Sequence, residues 1–243
     1  MIAAIMQPTY LPWLGYIALM QQADVFVLLD DVPFSYQSWQ HRNRIRAGSS
    51  WQWLTVPVRK RGTQRINEVL IDNDQPWPRK HVQSILQNYA RAPWLAEHRA
   101  WIESAYARPP RLLCELNVSL ITELARRLDV DTPLRSAAAL QASGDRVGRL
   151  IAICRELGAD EYLSPLGAFE YIEADNQFLE AGIQLGYQHF EHPVYRQPSA
   201  EFVPQLSALD LLLNEGPASR GILAGGTREP YTPDAVRSLR NPG

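Results

Sequence analysis

The sequence predicts an α/β protein with a mainly parallel sheet and flanking helices, and two observations carry this prediction. Short apolar runs rich in strand-forming residues, at residues 2–6 and 25–29, are separated by a helix-compatible segment. In the second half, the order helix, glycine, strand occurs twice, around Gly158 and Gly182. Such alternation is typical of strands joined by crossover helices.

The opening unit is predicted to be Rossmann-like: strand, loop, helix, strand. Residues 2–6 form the first strand, which two prolines in the following loop terminate. Residues 15–23 form the helix, and residues 25–29 form a second strand that ends at Asp30 and Asp31. This order of elements is expected at the start of a parallel sheet.

The remaining elements follow from the same periodicities. A polar and aromatic segment at residues 33–46 precedes an alternating strand at 51–58. Strands are also predicted at residues 161–163 and 183–190, and helical segments at 77–107 with a break at Pro93, 112–128, 145–157, 178–181 and 207–214.

The length of 243 residues is near the upper limit that one hydrophobic core organises. We therefore expect residues 1–216 to form a single compact domain, with a helical sub-lobe at about residues 77–140. The stretch 217–243 is rich in Gly and Pro and is expected to be a loosely ordered tail.

The composition of the chain argues against several classes of function. A net charge of -2 gives no reason to expect general nucleic-acid binding or an anionic membrane surface. Cys114 and Cys154 lie in apolar helical segments and are expected to be buried, reduced thiols. The histidines lack metal-ligand spacing, so no metal site is predicted. Without an apolar run long enough for a membrane span or a basic leader, the protein is expected to be cytoplasmic.

The loop after the first strand is the leading candidate for substrate binding, because ligands of α/β proteins bind at the carboxyl ends of strands and at helix N-termini. The alternative is that this loop only packs onto the core. The candidate side chains and backbone positions here are Gln7, Tyr10, Trp13, Gly15 and Tyr16.

The tetrapeptide from Trp13 to Tyr16 has the spacing of the HxGH motif of nucleotidyltransferases, with aromatic residues in place of both histidines. Trp and Tyr cannot stabilise a transferring phosphate as a cation does. The parallel therefore favours a nucleotidyltransferase-like opening unit more than a nucleotidyl transfer.

Three residues are predicted to be catalytic. Asp30 or Asp31, at a strand end, would bind a hydroxyl or a metal or act as a base, although one of them is expected to cap a turn instead. His192 follows another predicted strand and is the histidine nominated as acid or base. A Ser164–His192–Asp210 nucleophile system is disfavoured because no G-x-S-x-G elbow surrounds the serine.

Further substrate contacts are expected from polar loops and strand ends. Arginine side chains recognise phosphate and carboxylate through paired hydrogen bonds, which suits a sugar nucleotide or a carboxylated sugar. The alternative for the charged residues is a solvated surface. The candidates are Trp39, Arg42, Asn43, Arg44, Lys60, Ser164, Tyr195 and Gln197.

Successive blocks of the sequence resemble the WbqC-like protein family. They include AIMQPTYLPWLGY from residue 4, ADVFVLLDDV from residue 23, Arg42-Asn43-Arg44, WLTVPV from residue 53, Tyr162-Leu163-Ser164 and residues 202–214. The chain departs from the family where a Ser-Gly turn is usual: Pro165 follows Ser164, so no backbone N–H at residue 165 can contact a ligand.

This resemblance implies a role in cell-surface polysaccharide biosynthesis, such as that of the lipopolysaccharide O-antigen. The expected function is a transferase acting on an activated, nucleotide-linked or amino sugar. The alternative is a non-catalytic binding or scaffold protein of a polysaccharide-assembly system. The expected partner is a small polar or anionic substrate such as a sugar nucleotide. Homo-oligomerisation is left open, and no cofactor is indicated.

Overall fold

A computed structural model describes residues 1–59, 61–172, 177–198 and 201–240 of the chain. Its strands, in chain order, are β1 (Ile2–Met6), β2 (Val25–Leu28), β3 (Arg42–Ala47), β4 (Ser50–Thr55), β5 (Val58–Arg59), β6 (Leu70–Ile71), β7 (Leu134–Ser136), β8 (Glu161–Ser164), β9 (Gln184–Phe190) and β10 (Thr227–Tyr231).

The helices pack around these strands, and short 3-10 turns join some of the elements. The α-helices are α1 (Leu14–Gln22), α2 (Trp77–Asn88), α3 (Leu95–Ala107), α4 (Leu113–Arg127), α5 (Arg146–Leu157), α6 (Phe169–Ile172), α7 (Gln177–Glu180), α8 (Ala208–Glu215), α9 (Ser219–Gly225) and α10 (Pro233–Arg240). In the described ranges, no helix is both long and apolar enough to cross a membrane.

A six-stranded sheet in the order β10-β9-β8-β1-β2-β7 forms the centre of the molecule. The five strands from β9 to β7 are parallel, and β10 pairs antiparallel with β9. The predicted α/β architecture with a mainly parallel sheet is therefore confirmed. Because Met6 pairs with Leu28 and Leu28 with Ser136, the carboxyl ends of β1, β2 and β7 meet at one edge.

Helices cover both faces of the sheet, as the alternation along β1 shows. Ala4 belongs to the core on the side of α1, α4 and α8, whereas Ala3 and Ile5 belong to the core on the side of α5. Residues of α2, α3 and α4, such as Ile85 and Ile102, are part of the same apolar cluster as Ala4. The opening strand is thus buried on both sides, as parallel sheets require.

The structure differs from the sequence predictions in three places. The segment from residue 217, expected to be a loosely ordered tail, forms α9, β10 and α10 as far as residue 240. Its order depends on long-range contacts: β10 pairs with β9, and Val236 is buried against the sheet. The polar segment at 33–46 contains β3, and β7, which pairs with β2, was not predicted.

Candidate functional site

A cavity of about 250 Å³ lies at the carboxyl end of β1. The loop after β1, the β3–β4 hairpin and the segment before α8 form its walls. This is the edge at which ligands of parallel α/β proteins bind. Its lining residues are Met6, Thr9, Trp13, Tyr16, Trp39, Asn43, Arg44 and Gln205.

Tyr10 anchors the loop after β1 and does not line the cavity. Its ring is fully buried, and its hydroxyl contacts Nδ1 of His81 at 2.8 Å and the hydroxyl of Tyr106 at 2.5 Å. Burial lowers the pKa of His81 to about 4, so this imidazole is neutral near pH 7. Tyr10 was predicted to contact substrate, but its hydroxyl faces the protein interior.

Asn43 holds the same loop from the hairpin. Its buried Nδ2 donates to the carbonyl oxygens of Tyr10 at 3.2 Å and Leu11 at 2.7 Å, and Leu11 has a φ of +44. A left-handed backbone at a leucine is unfavourable and needs such support. Asn43 also accepts from the backbone N–H of Arg44 at 2.7 Å. It therefore shapes the cavity wall through the backbone.

The side chain of Gln7, in the same loop, is held by the side-chain amide of Gln40. Nε2 of Gln40 donates to Oε1 of Gln7 at 2.7 Å, and Nδ2 of Asn117 donates to the carbonyl oxygens of Gln40 at 2.7 Å and Pro8 at 3.3 Å. The hydroxyl of Tyr16 donates to the carbonyl oxygen of Gln7 at 3.3 Å. Gln7 itself does not line the cavity, and these bonds hold the loop between the lining residues Met6 and Thr9 in place.

Gly15 is required by the position of Trp13. A Cβ atom at residue 15 would come within 2.2 Å of the Trp13 indole, which also contacts Phe190 edge-to-face at 5.9 Å between centroids. The carbonyl oxygen of Gly15 accepts from Nε2 of Gln188 at 2.8 Å. The tetrapeptide from Trp13 to Tyr16 thus builds an aromatic wall, in which Gly15 makes room for the indole.

Arg44 lies among three indoles. Its guanidinium carbon is 5.5, 5.1 and 6.0 Å from the ring centroids of Trp39, Trp51 and Trp53. Its NH2 donates to the carbonyl oxygen of Gln205 at 3.2 Å. Cation–π contacts of this kind hold a guanidinium in place without neutralising it.

Arg42 lies over one of these indoles, with its guanidinium carbon 4.4 Å from the ring centroid of Trp53. Within the described part of the chain, neither Arg42 nor Arg44 forms an ion pair, and the buried Nε atom of each has no hydrogen-bond partner. Two cations without carboxylate partners therefore lie beside the cavity. An anionic ligand is the partner that this arrangement fits.

Gln205 connects the cavity to His192. Its backbone is left-handed, with a φ of +55, and its N–H donates to Nε2 of His192 at 3.1 Å. Nδ1 of His192 contacts the carbonyl oxygen of Pro193 at 2.9 Å, and burial lowers the pKa of this imidazole. The neutral ring thus carries its proton on Nδ1, and both nitrogens are occupied. His192 positions Gln205 and does not itself line the cavity.

Asp30 and Asp31 face away from the cavity, towards β7 and α5. The buried carboxylate of Asp30 accepts from Oγ of Ser136 at 2.6 Å and from the backbone N–H of Ala138 at 3.0 Å. Asp31 forms an ion pair with Arg149 of α5. Neither carboxylate lines the cavity. One of the two aspartates was expected to cap the turn that follows it. Asp30 instead accepts a hydrogen bond from the 3-10 turn at Ala137–Ala139.

The C-terminal candidates lie beneath the hairpin and not in the cavity. The hydroxyl of Tyr195 and Nε2 of Gln197 both donate to Oδ2 of buried Asp210, at 2.7 and 2.8 Å, and Oε1 of Gln197 accepts from Arg46. Burial raises the pKa of Asp210. These residues form a buried polar network that supports β3.

The remaining predicted site residues are Ser164 and Lys60. Ser164 is buried, and its Oγ donates to the carbonyl oxygen of Pro165 at 3.2 Å. Asp210 bonds to Tyr195 and Gln197, which leaves the disfavoured Ser164–His192–Asp210 arrangement without geometric support. Lys60 lies outside the described residues. Over those residues, no group of three His, Cys, Asp or Glu side chains has the arrangement of metal ligands.

The cavity brings together Trp13, Tyr16, Trp39, Asn43 and Arg44 from the predicted set. The sequence analysis did not identify Met6, Thr9 and Gln205, or the indoles of Trp51 and Trp53 around Arg44. A signal existed for the two tryptophans, since they alternate along the predicted strand at 51–58 and so share one face. Gln205 lies in the block at 202–214 and has no distinctive local pattern.

Comparisons with known proteins match the part of the chain that forms the cavity. A family model described as the WbqC-like protein family matches residues 7–222, which include every residue of the cavity except Met6. The chain is 32% identical over 217 residues to a protein named Uncharacterized protein Rv1507c from Mycobacterium tuberculosis (strain ATCC 25618 / H37Rv), covering 88% of this chain and 93% of that protein. No solved structure matches the chain. The chain belongs to the WbqC-like protein family.

Proposed function

We propose that the protein is a transferase acting on an activated sugar, nucleotide-linked or amino, in cell-surface polysaccharide biosynthesis such as that of the O-antigen. The observation that carries this proposal is the cavity at the end of β1, where Trp13, Tyr16 and Trp39 surround a space beside the unpaired guanidinium of Arg44. A sugar phosphate matches both properties, because its ring packs on aromatic faces and its phosphate binds arginine.

In this proposal Arg44 stabilises the negative charge of the phosphate during group transfer. A guanidinium that is already in place stabilises developing charge without reorganisation. The three indoles around Arg44 keep it oriented towards the cavity, and Asn43 fixes the backbone beside it. The binding residues are thus held by contacts that exist before the substrate arrives.

Proton transfer is assigned to His192 after a local movement. Its Nε2 is engaged by the N–H of Gln205, whose left-handed backbone is unfavourable by about 1 kcal/mol for a non-glycine residue. Substrate that displaces Gln205 would free Nε2 and relieve this strain. The lowered pKa of His192 keeps its imidazole neutral, as a general base requires.

The test is turnover with nucleotide-linked amino sugars in the presence of acyl, aminoacyl or glycosyl donors, followed by product mass. Arg44→Gln should lower kcat/KM at least tenfold, since one charge-assisted contact of about 1.5–3 kcal/mol is lost. Arg220→Gln, at an exposed arginine of α9, is the matched control and should retain wild-type rates. Absence of both turnover and binding in the wild type would contradict the proposal.

A second candidate function is a non-catalytic sugar-binding component of the polysaccharide-assembly system. The observation in its favour is that both nitrogens of His192 and both oxygens of Asp30 are occupied by protein partners. His192→Gln separates the two functions in cells that lack the native gene. A binding protein should still support polysaccharide formation with this variant, whereas a catalyst should lose most of it.

A further inference from the structure

The cavity is smaller than a complete nucleotide-linked sugar. Its volume of about 250 Å³ is below the roughly 300–1,000 Å³ of pockets that enclose drug-sized ligands. It has room for a monosaccharide with one phosphate. If the activated sugar of the proposed function is nucleotide-linked, its nucleoside must therefore lie outside the cavity.

The cavity wall continues into an exposed aromatic surface. Trp39 and Arg44 line the cavity. The ring centroid of Trp53 lies 5.3 Å from that of Trp39 and 5.5 Å from that of Trp51. Trp39, Trp51 and Trp53 remain 46%, 40% and 37% exposed. Neighbouring indoles with this much exposure form an apolar patch of the kind that marks binding sites.

The charges on this surface suit a diphosphate. Arg44 borders the cavity and contacts the Trp51 indole, and Arg42 lies over Trp53. Neither arginine has a carboxylate partner among the described residues. The cavity, the two guanidiniums and the partly exposed rings of Trp51 and Trp53 are therefore contiguous.

We propose that Trp51 and Trp53 form a stacking site for the base of a nucleotide-linked sugar, with its diphosphate on Arg42 and Arg44 and its sugar in the cavity. This inference rests on the proposed function and specifies the substrate class. Every nucleobase has a planar face, so stacking gives affinity with little discrimination between bases. The enclosed sugar site then provides the selectivity.

Binding of nucleotide sugars and of their matched glycosyl 1-phosphates, compared by calorimetry, tests this inference. UDP-, dTDP- and GDP-linked sugars, each of which carries a diphosphate, would be the panel. For the sugar that binds, the nucleotide form should bind about 5- to 150-fold more tightly than the sugar phosphate, which is the factor expected from stacking one base. Trp51→Leu with Trp53→Leu should bring the two affinities close together. Both affinities are expected to fall, because these indoles also orient Arg44, so the ratio of the two affinities is the quantity that tests the stacking site.

Trp101→Leu is the matched control, because Trp101 also contacts an arginine, Arg127 at 4.6 Å, but lies away from the cavity. It should leave both affinities unchanged. If the double variant loses its thermal transition, Arg42→Gln replaces it. That variant should weaken binding of the nucleotide sugar and not of the sugar phosphate, and equal losses would count against the assignment.

The outcomes separate the two proposals. Equal affinity of the wild type for a nucleotide sugar and its sugar phosphate overturns the stacking site and leaves the proposed function standing. No binding of either compound overturns the proposed function as well. Binding of an acidic saccharide that depends on Trp51 and Trp53, without any contribution from a base, would overturn the nucleotide assignment and identify this surface as an acceptor site.

Discussion

Two regions along one edge of the sheet both carry charged residues, but only one of them contains an ion pair. At the end of β2, Asp31 pairs with Arg149, and these side chains are only 12% and 18% exposed. Beyond the end of β1, Arg42 and Arg44 rest on indoles and have no carboxylate partner in the described residues. The charges of the first region are paired with each other, although Oδ1 of Asp31 and Nε of Arg149 have no hydrogen-bond partner in the described residues. The guanidiniums of the second region have no counter-ion there and can accept an anionic ligand.

This difference shows why a residue type at a strand end does not by itself identify a site. Asp30 and Asp31 follow a strand as expected, yet protein groups use Oδ1 and Oδ2 of Asp30 and Oδ2 of Asp31. Arg44 is kept in place by contacts that do not cancel its charge. The geometry of the partners, and not the residue type, separates a stabilising charge from a ligand-binding one.

The largest expected effect comes from breaking the Asp31–Arg149 pair. Arg149→Ala leaves a largely buried carboxylate without its cation, which should lower the free energy of unfolding by about 3 kcal/mol. Arg44→Ala should lower it by less than about 1 kcal/mol, because no buried charge is left behind. Urea denaturation of both variants measures the contrast. Equal losses would mean that Arg44 also serves mainly to stabilise the fold.

The second-largest loss of stability is expected at acidic pH from protonation of His81, which contacts Tyr10 in the loop after β1. Because burial lowers the pKa of His81 from its ordinary value of 6.5 to about 4 in the folded protein, the unfolded state binds more protons between these values. Stability is therefore full above about pH 6.5 and falls by about 3 kcal/mol as the pH decreases to about 4, at roughly 1.4 kcal/mol per pKa unit.

His81→Gln tests this assignment, since glutamine retains an acceptor for the hydroxyl of Tyr10 and does not titrate. Urea midpoints measured from pH 8 to pH 4 should fall less steeply for the variant than for the wild type. A residual slope is expected, because burial also lowers the pKa of His41, His98 and His192. Parallel curves for the two proteins would assign the acid sensitivity to these other histidines.

A smaller effect on stability than at Arg149 or His81 is expected at Gly15. Gly15→Ala places a methyl group within 2.2 Å of the Trp13 indole, so the ring must move, at a cost of about 1–2 kcal/mol. Sugar phosphate binding should fall with it, because Trp13 lines the cavity. Gly221→Ala is the matched control in α9, where a Cβ meets nothing within 4 Å. It should raise stability by about 0.5–1 kcal/mol and leave binding intact.

The sequence predicted the opening unit and the sheet edge well, because these depend on local periodicity and on the rule that parallel strands share a carboxyl edge. It also placed Trp13, Tyr16, Trp39, Asn43 and Arg44 near the site, and all five line the cavity. What could not be predicted was the direction of individual side chains. Tyr10 is neighbour to residues of the cavity wall but points at His81, which is 71 positions away.

The missed elements have a similar physical cause. β7 has three residues, and only its pairing with β2 makes it a strand. The last strand, β10, contains a glutamate and a proline and has no period-two pattern, yet it completes the sheet beside β9. Short polar segments of this kind are stabilised by partners that are distant in the sequence, so local propensity does not reveal them.

Both outer strands of the sheet have properties that discourage another chain from adding to it. β7 offers three residues for pairing and follows Pro133, while β10 contains Pro230 and a register shift between Arg228 and Tyr231. A proline lacks the N–H that a new strand would need, and an irregular register interrupts a continuous ladder. Self-association of this protein by strand addition, including the growth of cross-β aggregates from its native state, is therefore disfavoured by the two strands that the sequence revealed least.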